Sequence, residues 1–227
     1  DQRVVIRENR VRAQTLRGAG LDPLELPFGG MLDRRTGRVL KHEIKTYQPQ
    51  VVMTWMNRAS KMCPKGDFVQ VGRLGGYYDL KYYRNCTHLI GNTEDIVTHI
   101  VGQGWAKDRA HYLPNFVSED RAEPISRRSL YTPDNAVLEA WAQGVPVIAA
   151  DSMGPGTLID HMDSGVLVPV DDSDALARAI RAVIDDYELA EHIANRGSEV
   201  YEQKFTEAQV VKRYLDFFQS VVNKPAN

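Results

Sequence analysis

Residues Val137–Asp172 read VLEAWAQGVPVIAADSMGPGTLIDHMDSGVLVPVDD. Val137–Gln143 has the apolar spacing of a short helix, and Gly144 follows as its stop. Val145–Ala149 is an apolar run of the length of a buried strand. Asp151–Gly156 is a Gly-rich loop, a helix is expected after it, and Val166–Val168 is a second strand. A helix between apolar strands points to a parallel sheet covered by helices, the α/β class. In open sheets of that class, ligands sit at the carboxyl ends of the strands, where the Asp151–Gly156 loop falls.

The same rhythm runs back to the start of the chain. Val4–Ile6, Leu21–Phe28, Gln50–Trp55, Phe68–Val71, Thr87–Ile90 and Ala110–Leu113 read as strands. Helices are expected over Arg12–Arg17, from a cap at Asp33 to about Tyr47, and from Asn92 or Thr93 to about Val101. Met56–Ser60 and Arg73–Gly76 read as loops. Ser118–Pro133 has the composition of a linker, with two prolines and many charges. Beyond the quoted stretch three helices are expected. Ser173–Asp185 places Leu176, Ile180 and Val183 on one face. Tyr187–Tyr201 follows, and the last helix opens on the capping box Thr206–Gln209, with Val210, Tyr214, Phe217, Phe218 and Val221 as its apolar face.

Composition narrows the function. The 227 residues carry 28 Lys plus Arg and 30 Asp plus Glu, a net charge of −2, with 43% hydrophobic and 26% charged residues. That balance is globular rather than disordered, and it argues against a dedicated nucleic-acid binder. No run approaches the ~20 apolar residues of a membrane span. No signal peptide is visible in the opening Asp1–Ile6. Cys63 and Cys86 have no CxxC spacing and the six histidines form no HxxxH or HxH pair, so a reduced cytoplasmic setting without a metal site is expected.

Several residues could carry chemistry. Gly154 and Gly156 let a ligand oxygen approach the backbone, and Ser152, Met153 and Pro155 complete that loop. A following helix N-terminus would offer N–H groups to a diphosphate. Glu139, between apolar neighbours on a helix, needs a partner, and sugar hydroxyls are good ones. The bland alternative is a plain turn and a half-exposed helix residue. Arg58, Arg73, Gly75 and Gly76 fall in loops after strands, where an acceptor or a phosphate would sit; loop charges also simply aid solubility. Arg34, Arg38, Lys41 and Lys45 share one helical face, read either as a solvated face or as a contact for an anionic membrane. Tyr77, Tyr78, Tyr82 and Tyr83 read either as stacking groups or as residues divided between core and surface.

The run LEAWAQGVPVIAAD, with GVLVPVDD after it, resembles the nucleotide-sugar-binding segment of the retaining family-4, group 1 glycosyltransferases. The tail ALARAIRAVIDD with FTEAQVVKRYLDFF, and the HYLPNFV segment at His111–Val117, are similar to the same family. The resemblance implies two Rossmann-like parallel-sheet lobes of the GT-B type. Residues 1–117 would be the acceptor-side lobe, 118–136 the crossover and 137–227 part of the donor-side lobe with the terminal helices. It implies a UDP- or GDP-sugar donor held by Glu139 and Ser152–Gly156, and a glycan or lipid-linked acceptor near Arg58, Arg73, Gly75 and Gly76. It implies no cofactor beyond that co-substrate, no metal, and a cytoplasmic, membrane-associated setting.

Departures from the family pattern are specific. The first Glu of the family's Glu pair corresponds to Tyr131, and Thr157 stands where relatives commonly carry Glu. The early basic pair that neutralises the diphosphate is absent, as is the Gly-rich first strand. Two such lobes need about 300 residues or more. The expectation is therefore that segments are missing before Asp1 and between about Ala136 and Val137. No catalytic base is assigned. Alternatives are an inactive or remnant nucleotide-sugar-binding module, or a two-lobed sugar-nucleotide epimerase.

Overall fold

The computed structural model describes residues 1–29, 33–117 and 135–223. They form two compact units, Asp1–Ile90 and Gly91–Asn227.

In the first unit, β1 (Val5–Arg7) leads into α1 (Arg10–Gly18) and pairs in parallel with β2 (Leu24–Leu26), Ile6 opposite Glu25. Next comes α2 (Arg34–Tyr47), capped as the sequence predicts. Asp33 accepts the Thr36 N–H at 2.9 Å, the Thr36 hydroxyl at 2.6 Å and the Gly29 N–H at 2.7 Å. Those bonds, the Thr36 hydroxyl first, hold the Asp33 carboxyl below its usual range. Gln48 ends α2 in the left-handed region, φ 49°, and Pro49 prevents continuation.

Strand β3 (Val51–Trp55) pairs in parallel with β4 (Val69–Leu74), from Val51 opposite Val69 to Trp55 opposite Arg73, and β5 (His88–Gly91) follows β4 in that sheet. Between β3 and β4 lies α3 (Met56–Met62). The loop expected at Met56–Ser60 is helical instead. Ser60 Oγ turns inward, donating to the Met56 carbonyl at 3.0 Å and lying 2.9 Å from Thr54 Oγ1. Burying both hydroxyls against each other satisfies them, which a solvated loop would not do.

The second unit begins with α4 (Glu94–Gly102), capped by Thr93 Oγ1, which accepts the Ile96 N–H at 3.2 Å. After β6 (Ala110–Tyr112) the Leu113 N–H donates to the Gly91 carbonyl at 3.1 Å. Then follow α5 (Ala136–Ala142), β7 (Ile148–Ala150), α6 (Pro155–Leu158) and β8 (Val166–Val168). β7 and β8 pair in parallel, Ala149 opposite Leu167. β7 starts later than the apolar run suggests: Pro146 has no N–H to give and Val145 is exposed. Ala136 and Val137, where a missing segment is expected, are consecutive residues of α5. The linker reading of Ser118–Pro133, and Tyr131 with it, falls outside the described residues except for its last neighbours, Asn135 and Ala136.

Three helices close the chain: α7 (Ser173–Asp185), α8 (Tyr187–Lys204) and α9 (Glu207–Asn223). The expected face of α7 is corrected. Ala175, Ala179 and Val183 pack beside Val166, Val168 and Ile193, while Leu176 and Ile180 are exposed. Small side chains let the helix approach the sheet, and the larger ones lie outside that seam. On α9, Thr206 Oγ1 caps by accepting the Gln209 N–H at 3.3 Å, and Val210, Phe217 and Val221 are buried. The Phe217 and His111 rings meet at 4.7 Å, tilted by 57°, so α9 returns to β6, which ties Gly91–Val117 to the C-terminal half.

Candidate functional site

The core of the second unit is built on Trp141, fully buried among Val137, Leu138, Val147, Ile159, Tyr201 and Phe205. Its Nε1 donates to the Ser164 carbonyl at 3.0 Å, and Ser198 Oγ donates to the Trp141 carbonyl at 2.8 Å. Gly197 on α8 has no side chain because none fits: a Cβ there would lie 2.3 Å from the indole. This contact anchors α5 and therefore Glu139, which sits in its first turn. Glu139 is half-buried, and among the described residues its carboxylate meets no hydrogen-bond or ion-pair partner. α5 is joined to β7 by a short turn through Gly144, φ +66°, and so runs back against the strand it covers. Its first turn therefore shares the carboxyl edge of the sheet with the end of β7.

The loop at that edge is compact. The Asp151 N–H donates to the Val168 carbonyl at 2.7 Å, the Ser152 N–H to Ala150 at 2.7 Å and the Gly156 N–H to Ser152 at 2.9 Å. Gly154 has φ +127° and ψ −81°, a conformation closed to side chains. A Cβ on Gly156 would lie 2.4 Å from Asp151 Oδ1, so the loop is closed on that carboxylate. Ser152 is exposed and Met153 is 68% exposed.

One expectation changes here. The helix after the loop, α6, is a single turn of four residues. Pro155 contributes no N–H, and Thr157 donates its own to the Gly154 carbonyl at 3.1 Å. The anion-attracting field of a long helix is therefore not available from α6. Sequence reasoning missed this because Pro155–Leu158 begins like any helix, and only the chain's departure at Ile159 into the core ends it.

In the first unit, two acceptor-side candidates lie on different elements from those expected. Arg58 is on α3, and its Nη1 donates to the Phe28 carbonyl at 3.0 Å. Arg73 is in β4, only 7% exposed, with its guanidinium 4.3 Å from the Trp55 ring centroid. A cation against an aromatic face is favourable, and this one is mostly shielded from water. Gly75 and Gly76 do form the loop after β4; a methyl on Gly75 would stand 3.7 Å from Met56 Sδ. Tyr78 donates its hydroxyl to Met56 Sδ at 3.5 Å. Thus Arg73 lies on Trp55 and Gly75 stands beside Met56; sequence reasoning passed over both Trp55 and Met56. The signal was Trp55 as the last residue of an apolar strand in a parallel sheet. The tyrosines divide as the second reading had it: Tyr83 is fully buried, its hydroxyl donating to Asn57 Oδ1 at 2.7 Å, and Tyr77 is exposed.

Arg34, Arg38, Lys41 and Lys45 are all exposed on α2. Among the described residues no group of three or more His, Cys, Asp or Glu could hold a metal ion. Among them, too, no helix is long and apolar enough to cross a membrane.

Comparison with known proteins gives a consistent picture. The family model described as "Glycosyl transferases group 1" matches residues 135–200. Two curated relatives are lipopolysaccharide core biosynthesis glycosyltransferases of Rhizobium meliloti. LpsE is 23% identical over 300 residues, covering 93% of this chain and 85% of LpsE; LpsD is 24% identical over 282 residues, covering 86% and 81%. Among solved structures, Anabaena HepE in complex with UDP has a TM-score of 0.77 at 12% identity, covering 96% of this chain and 91% of HepE. The lipopolysaccharide outer core galactosyltransferase WaaB has a TM-score of 0.65 at 12% identity, covering 89% and 85%. The matched segment 135–200 holds Glu139, the Asp151–Gly156 loop and Trp141, so this stretch is similar to the group 1 glycosyltransferases, and the solved structures share the chain's α/β fold of GT-B type.

Proposed function

We propose that this chain transfers a sugar from a nucleotide-diphosphate-sugar donor to a glycan or lipid-linked acceptor in lipopolysaccharide or polysaccharide synthesis. Retention at the transferred carbon and independence of a metal follow from the family resemblance. The bond from the sugar's C1 to the diphosphate breaks, and a bond from C1 to an acceptor hydroxyl oxygen forms. The protein's part is positioning the two sugars and stabilising the departing diphosphate.

The observation that carries this reading is Glu139. A half-buried carboxylate without a described partner, at the same sheet edge as a loop shaped by Gly154 and Gly156, suits sugar hydroxyls of a donor. UDP in the HepE structure supports a UDP-sugar as the first donor to try. The functional division stays at 1–117, 118–136 and 137–227. The alignments with LpsE and LpsD, over 300 and 282 residues, are longer than the 227 residues here. Their length supports the reading that relatives hold a strand–helix series before Glu139 that this chain lacks. The exposed basic face of α2 would bring the enzyme to an anionic cytoplasmic membrane surface, where lipid-linked acceptors lie.

Titration of the intact protein with UDP and with GDP, followed by thermal unfolding, tests the donor site. A nucleotide present at about 100 times its Kd stabilises by about 2.7 kcal/mol. Glu139→Ala should remove most of that stabilisation and the turnover of UDP-sugars, with an unchanged circular dichroism spectrum. If neither nucleotide raises Tm, the donor assignment fails.

A further inference from the structure

We propose that Trp55, braced from behind by Arg73, is the platform on which a pyranose ring of the acceptor saccharide stacks; this deepens the transferase reading and rests on it. Three independent observations meet at this residue. Trp55 is the last residue of β3, at the carboxyl edge where parallel sheets receive ligands, and it is 53% exposed. Arg73, its register partner on β4, holds one face of the indole at 4.3 Å while itself only 7% exposed. Met56 then turns the chain directly into α3 at φ +66°, a conformation a non-glycine residue adopts only when its surroundings impose it.

The chemistry favours a sugar. The braced indole is a flat, rigid surface whose ring is already oriented, so little rotamer freedom is lost on binding. One ring face is occupied by the guanidinium, and the indole's exposure leaves area for a ligand. An aromatic face is electron-rich, and the axial C–H groups of a pyranose are its complement. The next residue, Met56, has polar and small neighbours: the Tyr78 hydroxyl on its Sδ, and Gly75 beside the same sulfur. Those can meet the equatorial hydroxyls of the same ring.

The chain has three tryptophans, so the indole N–H signals of the ¹⁵N-labelled protein are few and Trp55→Phe assigns the one from Trp55. The probe is deacylated lipopolysaccharide core oligosaccharide, titrated into the full chain. The expected result is a saturable shift of the Trp55 signal with the buried Trp141 signal unmoved. Trp55→Ala should weaken binding about tenfold or more, and Trp55→Phe should stay within about threefold. The platform is overturned if the Trp55 signal does not respond, if Trp55→Ala binds like the parent, or if Trp55→Phe loses as much as Trp55→Ala. UDP raising Tm while the saccharide leaves Trp55 unmoved overturns the platform and leaves the transferase reading standing. The saccharide shifting Trp55 while no nucleotide raises Tm upholds the platform and removes the transfer.

Discussion

Gly197→Ala should destabilise the second unit by about 2 kcal/mol, although alanine is the better helix former. In a helix interior the replacement gains about 1 kcal/mol of propensity. Against that, the new Cβ would stand 2.3 Å from Trp141 Cδ1 and 2.4 Å from Nε1. The contact can be relieved in two ways, and both cost. Rotating the indole, which has no exposed surface, breaks the Nε1 bond to the Ser164 carbonyl, about 1 kcal/mol plus the burial of an unsatisfied group. Separating α5 from α8 loosens the Ser198 bond to the Trp141 carbonyl and opens the core. Overpacking of this kind by itself costs about 1–3 kcal/mol, and the lost hydrogen bond adds about 1 kcal/mol. The balance is a loss of about 2 kcal/mol, or a fall in Tm of about 4–8 °C for a chain of this size. The assay is thermal and urea unfolding of the single variant, of Trp141→Leu and of the pair. In the Trp141→Leu background Gly197→Ala should be neutral or stabilising, because nothing remains to collide with. An unchanged or raised Tm for the single variant, or an equal loss in both backgrounds, would refute the packing argument and with it the account of how Glu139 is held.

Two further outcomes follow from the first unit. Asp33→Ala should lower Tm at pH 7, and the gap from the parent should narrow as the pH drops below about 4. The folded carboxyl is held below its ordinary 3.8, so its stabilisation is present above that value and is lost as pH falls through the folded pKa; a gap independent of pH would remove the Asp33–Thr36 cap as its cause. Burial pushes the Cys63 thiol up to about 12 and the Cys86 thiol up to about 11. Ellman's reagent at pH 8 should therefore find no reactive thiol in the folded chain and two in guanidinium, whereas one rapid equivalent in the folded chain would contradict their burial.

Much of this architecture was legible along the chain because it is written in local signals. Asp33, Thr93 and Thr206 cap helices where short polar side chains precede apolar periodicity, and each accepts the N–H three residues on. The strands fall within a few residues of their apolar runs. The family resemblance rested on Val137–Asp172, which held the glycines and the carboxylate together in one stretch.

The errors were in what lies between elements. Ser60 looked like a loop residue until Thr54 was placed beside it. Leu176 and Ile180 looked like core until Ala175 and Ala179 proved to be the seam. Arg73 looked like a loop cation, and it is a buried strand residue under an indole.

By itself, the sequence determined the alternation of strands and helices, the caps, and the stretch that carries Glu139 and the Asp151–Gly156 loop, since these depend on residues within a few positions of one another. Only the tertiary structure decided which apolar face of α7 is buried, that α6 stops after one turn, that α9 returns to β6, and that Trp55 meets Arg73. Those outcomes depend on side chains distant in sequence competing for the same volume, and no local pattern encodes which of them wins.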